Sequence, residues 1–215
     1  MCNGAVYKLQ AAHLLSEMQD LLPALPPYQA GFQSQRSCND HIFFMRRVLD
    51  EHWRAGRDVH ILTIDIRQAF PSLSQQAMVD RLVARGVPRR LVNVVISLAC
   101  TEDTRVRWGA EVTREIRRGR GLRQGCPYSP WAFMDALHSA VEQAVHQVPG
   151  YDLNMQQEEL IPMVLAYADD IAIFARSWED VTALLGPLIR ELRLLGMEVN
   201  QAKCEAMVRG FGAPP

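Results

Sequence analysis

The segment IPMVLAYADDIAIFA, residues 161–175, sets two runs of β-forming residues on either side of an adjacent acidic pair, Asp169 and Asp170. Charge inside an apolar run is costly unless it is paired, bound to a metal or carried to a turn. The pattern therefore predicts a strand, a tight turn holding both carboxylates, and a returning strand. DVHILTIDI, residues 58–66, is short, β-branched and apolar on both faces. It suits a central strand, with Asp65 near its end.

Helices account for most of the remainder. Leu9, Ala12, Leu15, Met18 and Leu22 recur at helical spacing over residues 5–22, and Pro23, Pro26 and Pro27 end that helix. Gln29 to Ser37 reads as a loop. A second helix starts near Cys38–Asp40, with Ser37 and Asp40 as a capping box, and closes at Gly56. Residues 74–86 read as an amphipathic helix, and another starts with Pro88 near its first turn. TRVRWGAEVTREI reads as a β-hairpin about Gly109 and Ala110, and Ser129-Pro130 as the N-cap and first turn of a helix through His146. Ser177 to Asp180 opens a helix that Gly186-Pro187 is expected to kink or split and that Gly196 stops. MEVN and EAMV read as short strands, and the FGAPP tail as frayed. Helices mixed with non-sequential strands place the chain in the α+β class, with a mostly antiparallel sheet packed on helices.

Composition narrows the setting. With 215 residues and 48% hydrophobic content, one large domain or one domain in two lobes is expected. No run of eighteen apolar residues appears, so no membrane partner is expected. MCNGAVYKLQ lacks a basic stretch followed by an apolar one, so no signal peptide is read. Cys2, Cys38, Cys100, Cys126 and Cys204 form no CxxC pair and read as free thiols in a reducing compartment, which places the protein inside the cell. The net charge of −1 argues mildly against nucleic-acid binding, but arginines cluster from Arg105 to Arg123.

Asp65, Asp169 and Asp170 sit where a sheet can gather distant side chains, at a strand end and a hairpin turn. Clustered carboxylates repel unless cations intervene, and hard divalent ions with oxygen ligands answer that repulsion. Two Mg²⁺ ions are expected, with Mn²⁺ as the substitute, and the Ile66 backbone carbonyl is a further candidate ligand. Such a pair of ions serves phosphoryl transfer. Each acid taken singly also fits a plain turn or a strand cap.

LTIDIRQAFPSL, GRGLRQGCPYSP, AYADDIAIFA and GMEVNQAKCE follow one another in that order, preceded by GFQSQRSCNDHIF. This series resembles the reverse transcriptase family over about residues 28–208. The non-LTR retrotransposon enzymes are the nearest likeness, and the group II intron enzymes the next.

The resemblance implies a right-hand polymerase, with fingers over about 1–58 and 73–125 and a palm over about 59–72 and 126–208. It implies RNA-directed DNA polymerase activity on a primed RNA template with dNTPs, within a retrotransposon polyprotein acting in the nucleus or cytoplasm. Asp65, Asp169 and Asp170 take the positions of the catalytic metal ligands. Phe70 takes that of an aromatic beneath the nucleotide sugar that excludes a 2′-hydroxyl, Gln124 and Gly125 that of a loop against the incoming nucleotide and template base, and Lys203 that of an acid for the pyrophosphate leaving group. Arg36, Arg120 and Arg123 are candidate phosphate contacts. Read without the resemblance, Phe70 is a core residue, Lys203 a surface lysine and GLRQG a turn before a helix.

Two positions depart from the usual pattern: Gln68-Ala69-Phe70-Pro71 stands where Lys-Ala-Phe-Asp is common, and Tyr128 where leucine is. The resemblance also places the thumb and an upstream arginine-bearing segment outside these residues. A catalytically inactive nucleic-acid-binding or assembly remnant is the alternative reading.

Overall fold

The computed structural model of the protein describes residues 4–100, 103–114, 116–117, 119–151, 153 and 161–210. The FGAPP tail and Arg118 lie outside the described residues.

In chain order the elements are α1 (Ala5–Leu21), α2 (Cys38–Arg54), β1 (Val59–Ile64), β2 (Ile66–Arg67), α3 (Ala69–Ser72), α4 (Gln75–Ala84) and α5 (Arg89–Val95), which runs into a π-helical turn at Ile96–Cys100. Four two-residue strands follow: β3 (Asp103–Thr104), β4 (Arg107–Trp108), β5 (Glu111–Val112) and β6 (Ile116–Arg117). Then come α6 (Tyr128–His146), β7 (Met163–Tyr167), β8 (Asp170–Ala175), α7 (Trp178–Leu194), β9 (Glu198–Val199), a 3₁₀ turn at Gln201–Lys203 and β10 (Glu205–Arg209). The mixture is α+β, and the pairings of the strands named here are antiparallel, as a mostly antiparallel sheet requires.

Local chemistry sets many of the boundaries. The Ser37 N–H donates to Asp40 Oδ2 at 2.8 Å and starts α2. Ser74 Oγ accepts from the Ala77 N–H at 3.2 Å, and Ser177 Oγ from the Asp180 N–H at 3.1 Å. Some expected boundaries need correcting. Helix α6 starts at Tyr128 rather than after Ser129, because the Ser129 N–H already donates to the Cys126 carbonyl at 3.2 Å and closes a turn one residue earlier. Pro130 still falls in the first turn, where its missing N–H costs nothing.

Of the kink or split expected at Gly186-Pro187, the split does not occur: helix α7 runs unbroken to Leu194. A proline in a helix interior costs about 3 kcal/mol. Val181, Leu184, Leu188 and Leu192 form one buried stripe that passes through the proline, and each contributes about 1.5–3 kcal/mol on burial. The stripe outweighs the break.

The chain forms two compact units, Met1–Ala24 with Gln68–Ala136, and Leu25–Arg67 with Leu137–Pro215. The second holds a four-stranded sheet in the order β10-β1-β8-β7, with β1 as a central strand. One face packs Val59, Ile61, Met163, Leu165 and Phe174 against Val48 of α2, with Met45 and Leu49 beside it. The alternate positions meet α7, where His60 lies edge-on to Trp178 with ring centroids 5.0 Å apart. Strand β1 ends at Ile64, earlier than expected, and the chain resumes as β2, which pairs with β9 instead of the main sheet. Asp65 falls between the two.

The first unit contains α1, α3, α4, α5 and the hairpin β4–β5 around Gly109 and Ala110. Among the described residues no helix is long and apolar enough to cross a membrane. Cys38, Cys126 and Cys204 are free thiols.

Candidate active site

The acids of the second unit are brought together by strand register. In the β1–β8 ladder Ile64 pairs with Ile171, and in the β7–β8 ladder Tyr167 pairs with Asp170. Asp65 and Asp170 therefore stand one step past the last β1–β8 pair, at the same end of the sheet. Period-two alternation places Asp170 on the face of Ala172 and Phe174, and Asp65 directly follows the last residue of β1. Asp169 sits in the turn between β7 and β8.

Much of Asp170 meets solvent, yet its carboxyl is pushed above the ordinary aspartate range. Partial burial is the largest cause, followed by the charges of Asp169 and Asp65, while Lys203 pulls the other way. The charges of Asp65 and Asp169 thus act on Asp170. The three acids are not drawn into a closed cage: among the described residues no group of three His, Cys, Asp or Glu is arranged to hold an ion. The donor set is nonetheless of hard oxygens under mutual repulsion, which suits a divalent cation.

Lys203 reaches the acids from the 3₁₀ turn before β10. Its Nζ lies 3.5 Å from Asp65 Oδ1. The backbone fixes that approach, since the Asn200 N–H donates to the Asp65 carbonyl at 2.8 Å. Ile66 is buried and faces Val199 across β2–β9.

The segment read as a loop from Gln29 to Ser37 contributes more than a connection. Gln29 bridges to Ala166 in parallel, with the Ala30 N–H donating to the Ala166 carbonyl at 3.0 Å and the Ala166 N–H to the Tyr28 carbonyl at 2.7 Å. The Gln29 side chain is fully buried. Its Oε1 accepts from the N–H groups of Ala168 and Gly31 at 3.0 and 2.9 Å, and its Nε2 donates to the Ala168 carbonyl at 3.2 Å. Ala168, directly before Asp169, is left-handed with φ 55°. Gly31 is pressed so closely to it that a Cβ there would stand 2.2 Å from the Ala168 nitrogen. Sequence reasoning missed Gln29 and Gly31. The only available signal was a glutamine and a glycine in an apolar loop start, and that does not reveal a partner far along the chain. Arg36 lies on the same segment and is exposed.

The remaining candidates belong to the first unit. Phe70 lies in α3 and stacks on Phe133 of α6, with ring centroids 4.5 Å apart and planes 17° off parallel. The Leu122 N–H donates to the Phe70 carbonyl at 3.0 Å, and Gln75 Nε2 to the Gly121 carbonyl at 2.9 Å, so α3 and α4 hold the start of the GLRQG loop. Gln124 and Gly125 form an exposed turn. The Arg123 guanidinium lies over the Tyr7 ring, 4.3 Å from its centroid. Burial is the largest cause raising the Tyr7 hydroxyl to about 12, and Arg123 opposes it. Arg120 is exposed and bridges to Ser74.

Known proteins resemble this chain in sequence and fold. The Retrovirus-related Pol polyprotein from type-2 retrotransposable element R2DM of Drosophila melanogaster is 27% identical over 178 residues, 83% of this chain and 16% of that protein. The Transposon TX1 uncharacterized 149 kDa protein of Xenopus laevis is 24% identical over 176 residues, 81% of this chain and 13% of that protein. The chain thus spans less than a fifth of either relative. Apo telomerase from Candida tropicalis, truncated from its C-terminal domain, superposes with a TM-score of 0.66 at 14% identity over 98% of this chain and 41% of that one. Telomerase from Candida albicans in complex with a fragment of telomeric RNA gives a TM-score of 0.63 at 15% identity, over 94% and 35% of the two chains. These structures establish the shared fold. The profile of the reverse transcriptase (RNA-dependent DNA polymerase) family matches residues 2–212, and the chain belongs to that family.

Proposed function

We propose that the chain is the catalytic core of an RNA-directed DNA polymerase within a retrotransposon-type polyprotein, extending a DNA or RNA primer on an RNA template with dNTPs. The observation that carries this reading is the convergence of Asp65, Asp169 and Asp170 at one end of the β1–β8 pair, close enough for the first two to raise the third. On this reading the four-stranded sheet belongs to the palm, and α1, α4 and α5 to the fingers.

Asp65 and Asp169 would be the main ligands of two Mg²⁺ ions, with Asp170 and the Ile66 carbonyl as further donors. When bound, these ions supply charge stabilisation to the attacking and leaving oxygens of the displacement. The chain's own residues do the rest. Lys203 stands beside Asp65 and donates a proton to the departing pyrophosphate oxygen. Phe70, backed by Phe133, presents a rigid ring that leaves no room for a 2′-hydroxyl. Gln124 and Gly125 offer backbone N–H groups to the nucleotide and template base, and Arg36, Arg120 and Arg123 contact phosphates.

The test is primer extension on an RNA template with Mg²⁺ and either dNTPs or NTPs. Extension with dNTPs that falls about a thousandfold in Asp169→Ala is expected, equivalent to about 4 kcal/mol of transition-state stabilisation. Tight primer–template binding with no extension by the folded protein supports the non-catalytic reading instead.

A further inference from the structure

We propose that Gln29 is a positioning residue for the acidic turn: its carboxamide clamps Ala168 in the left-handed conformation and thereby sets where Asp169 and Asp170 project. This role rests on the polymerase reading above.

A left-handed backbone disfavours any residue with a Cβ by about 1–2 kcal/mol, so alanine at φ 55° needs an external constraint. Gln29 supplies it from both sides, accepting from the Ala168 N–H and donating to the Ala168 carbonyl. Glutamine suits the task because one planar group carries both an acceptor and donors. Glutamate lacks the donor, and lysine or arginine lacks the acceptor. The clamp is itself anchored, since the Gly31 N–H occupies the same Oε1 and Gly31 lies against the Ala168 backbone. With Gln29 fully buried, solvent cannot substitute for the lost bonds. Metal ligands must be held within about 0.5 Å of their working positions. A rotation at Ala168 is passed directly to Asp169.

The experiment uses the full chain and Mn²⁺ as the probe. Titration calorimetry gives Mn²⁺ affinity, urea unfolding gives stability, and primer extension separates kcat from the KM for dNTP. Gln29→Ala is expected to weaken Mn²⁺ binding about 10- to 100-fold, the range for residues that orient ligands, and to lower kcat more than it raises KM. Adding Ala168→Gly to that variant is expected to recover part of the Mn²⁺ affinity, because glycine takes positive φ without steric cost. A residue that only holds the fold together would not be rescued in this way.

Gln29→Glu keeps the size and the acceptor and loses the donor, and it is expected to fold and to bind Mn²⁺ more weakly than the wild type. If Gln29→Ala does not fold, Gln29→Glu decides the matter. Wild-type Mn²⁺ affinity in folded Gln29→Ala and Gln29→Glu overturns the inference, as does an affinity loss that Ala168→Gly leaves untouched. Asp169→Ala separates the two levels. Binding that depends on Asp169 but not on Gln29 sinks the clamp alone. Wild-type binding that is absent, or indifferent to Asp169, sinks the polymerase reading and the clamp together.

Discussion

Lys203 Nζ lies 3.5 Å from Asp65 Oδ1, although the two residues come from the two separate stretches of chain that make up the second unit. The ion pair does not bring them together. Lys203 is largely exposed, and pairs of that kind contribute about 0–1 kcal/mol. The backbone does it, through β2–β9 pairing, the Asn200 N–H on the Asp65 carbonyl and the Lys203 N–H on the Asn200 carbonyl at 2.9 Å.

Lys203→Gln is therefore expected to change stability by less than about 1 kcal/mol while lowering kcat about 10²- to 10⁴-fold, the range for a lost general acid. Single-turnover extension alongside urea unfolding checks both halves. An unchanged rate would make Lys203 a surface lysine.

Asp170→Asn is expected to stabilise the metal-free protein at neutral pH while lowering extension. The folded protein holds the Asp170 proton more tightly than the unfolded chain does, because its carboxyl is raised. The charged form thus opposes folding. Stability is lost as pH rises from the unfolded value of about 3.9 through the raised folded one, and stays lower above it. Thermal unfolding in chelator is expected to give a higher Tm for the variant at pH 7 and no difference well below pH 4. An advantage that persists in strong acid would remove the electrostatic explanation.

Phe70→Val is expected to admit NTPs, raising their kcat/KM relative to dNTPs by about tenfold or more, since a tenfold change requires only about 1.4 kcal/mol of relieved clash. Losing the stack on Phe133 should also cost about 0.5–1.5 kcal/mol of stability beyond the lost burial. Competition between labelled dNTP and NTP on one primer reads the first effect. Undiminished discrimination would return Phe70 to a packing role.

Gly121→Ala should destabilise the first unit by about 1–3 kcal/mol. Gly121 has φ 80°, and a Cβ there would stand 2.7 Å from the Pro71 carbonyl oxygen. Since Gly121 opens the loop that carries Gln124 and Gly125, the KM for dNTP should rise as well. A urea midpoint matching wild type would show that the loop yields without strain.

Much of the architecture was legible in residue order because the governing interactions are local. Ser37 with Asp40, Ser74 with Ala77 and Ser177 with Asp180 are contacts between residues three apart, so the sequence displays them directly. The acidic turn was legible for a related reason: continuous β-forming apolar runs on both sides of Asp169-Asp170 leave the charges nowhere else to go. Helix α7 passes Pro187 without splitting because the buried stripe on either side of it outweighs the local cost.

The sequence alone determined most of the helices, the acidic hairpin turn, the mostly antiparallel class and the family motifs, since each depends on residues near one another in the chain. The tertiary structure alone decided the strand order β10-β1-β8-β7, the arrival of Lys203 beside Asp65 and the clamp of Gln29 on Ala168. The reason is physical. A buried glutamine's worth lies in which distant backbone groups it satisfies, and no periodicity records that. Only the folded chain brings the loop at Gln29 against the turn that carries Asp169.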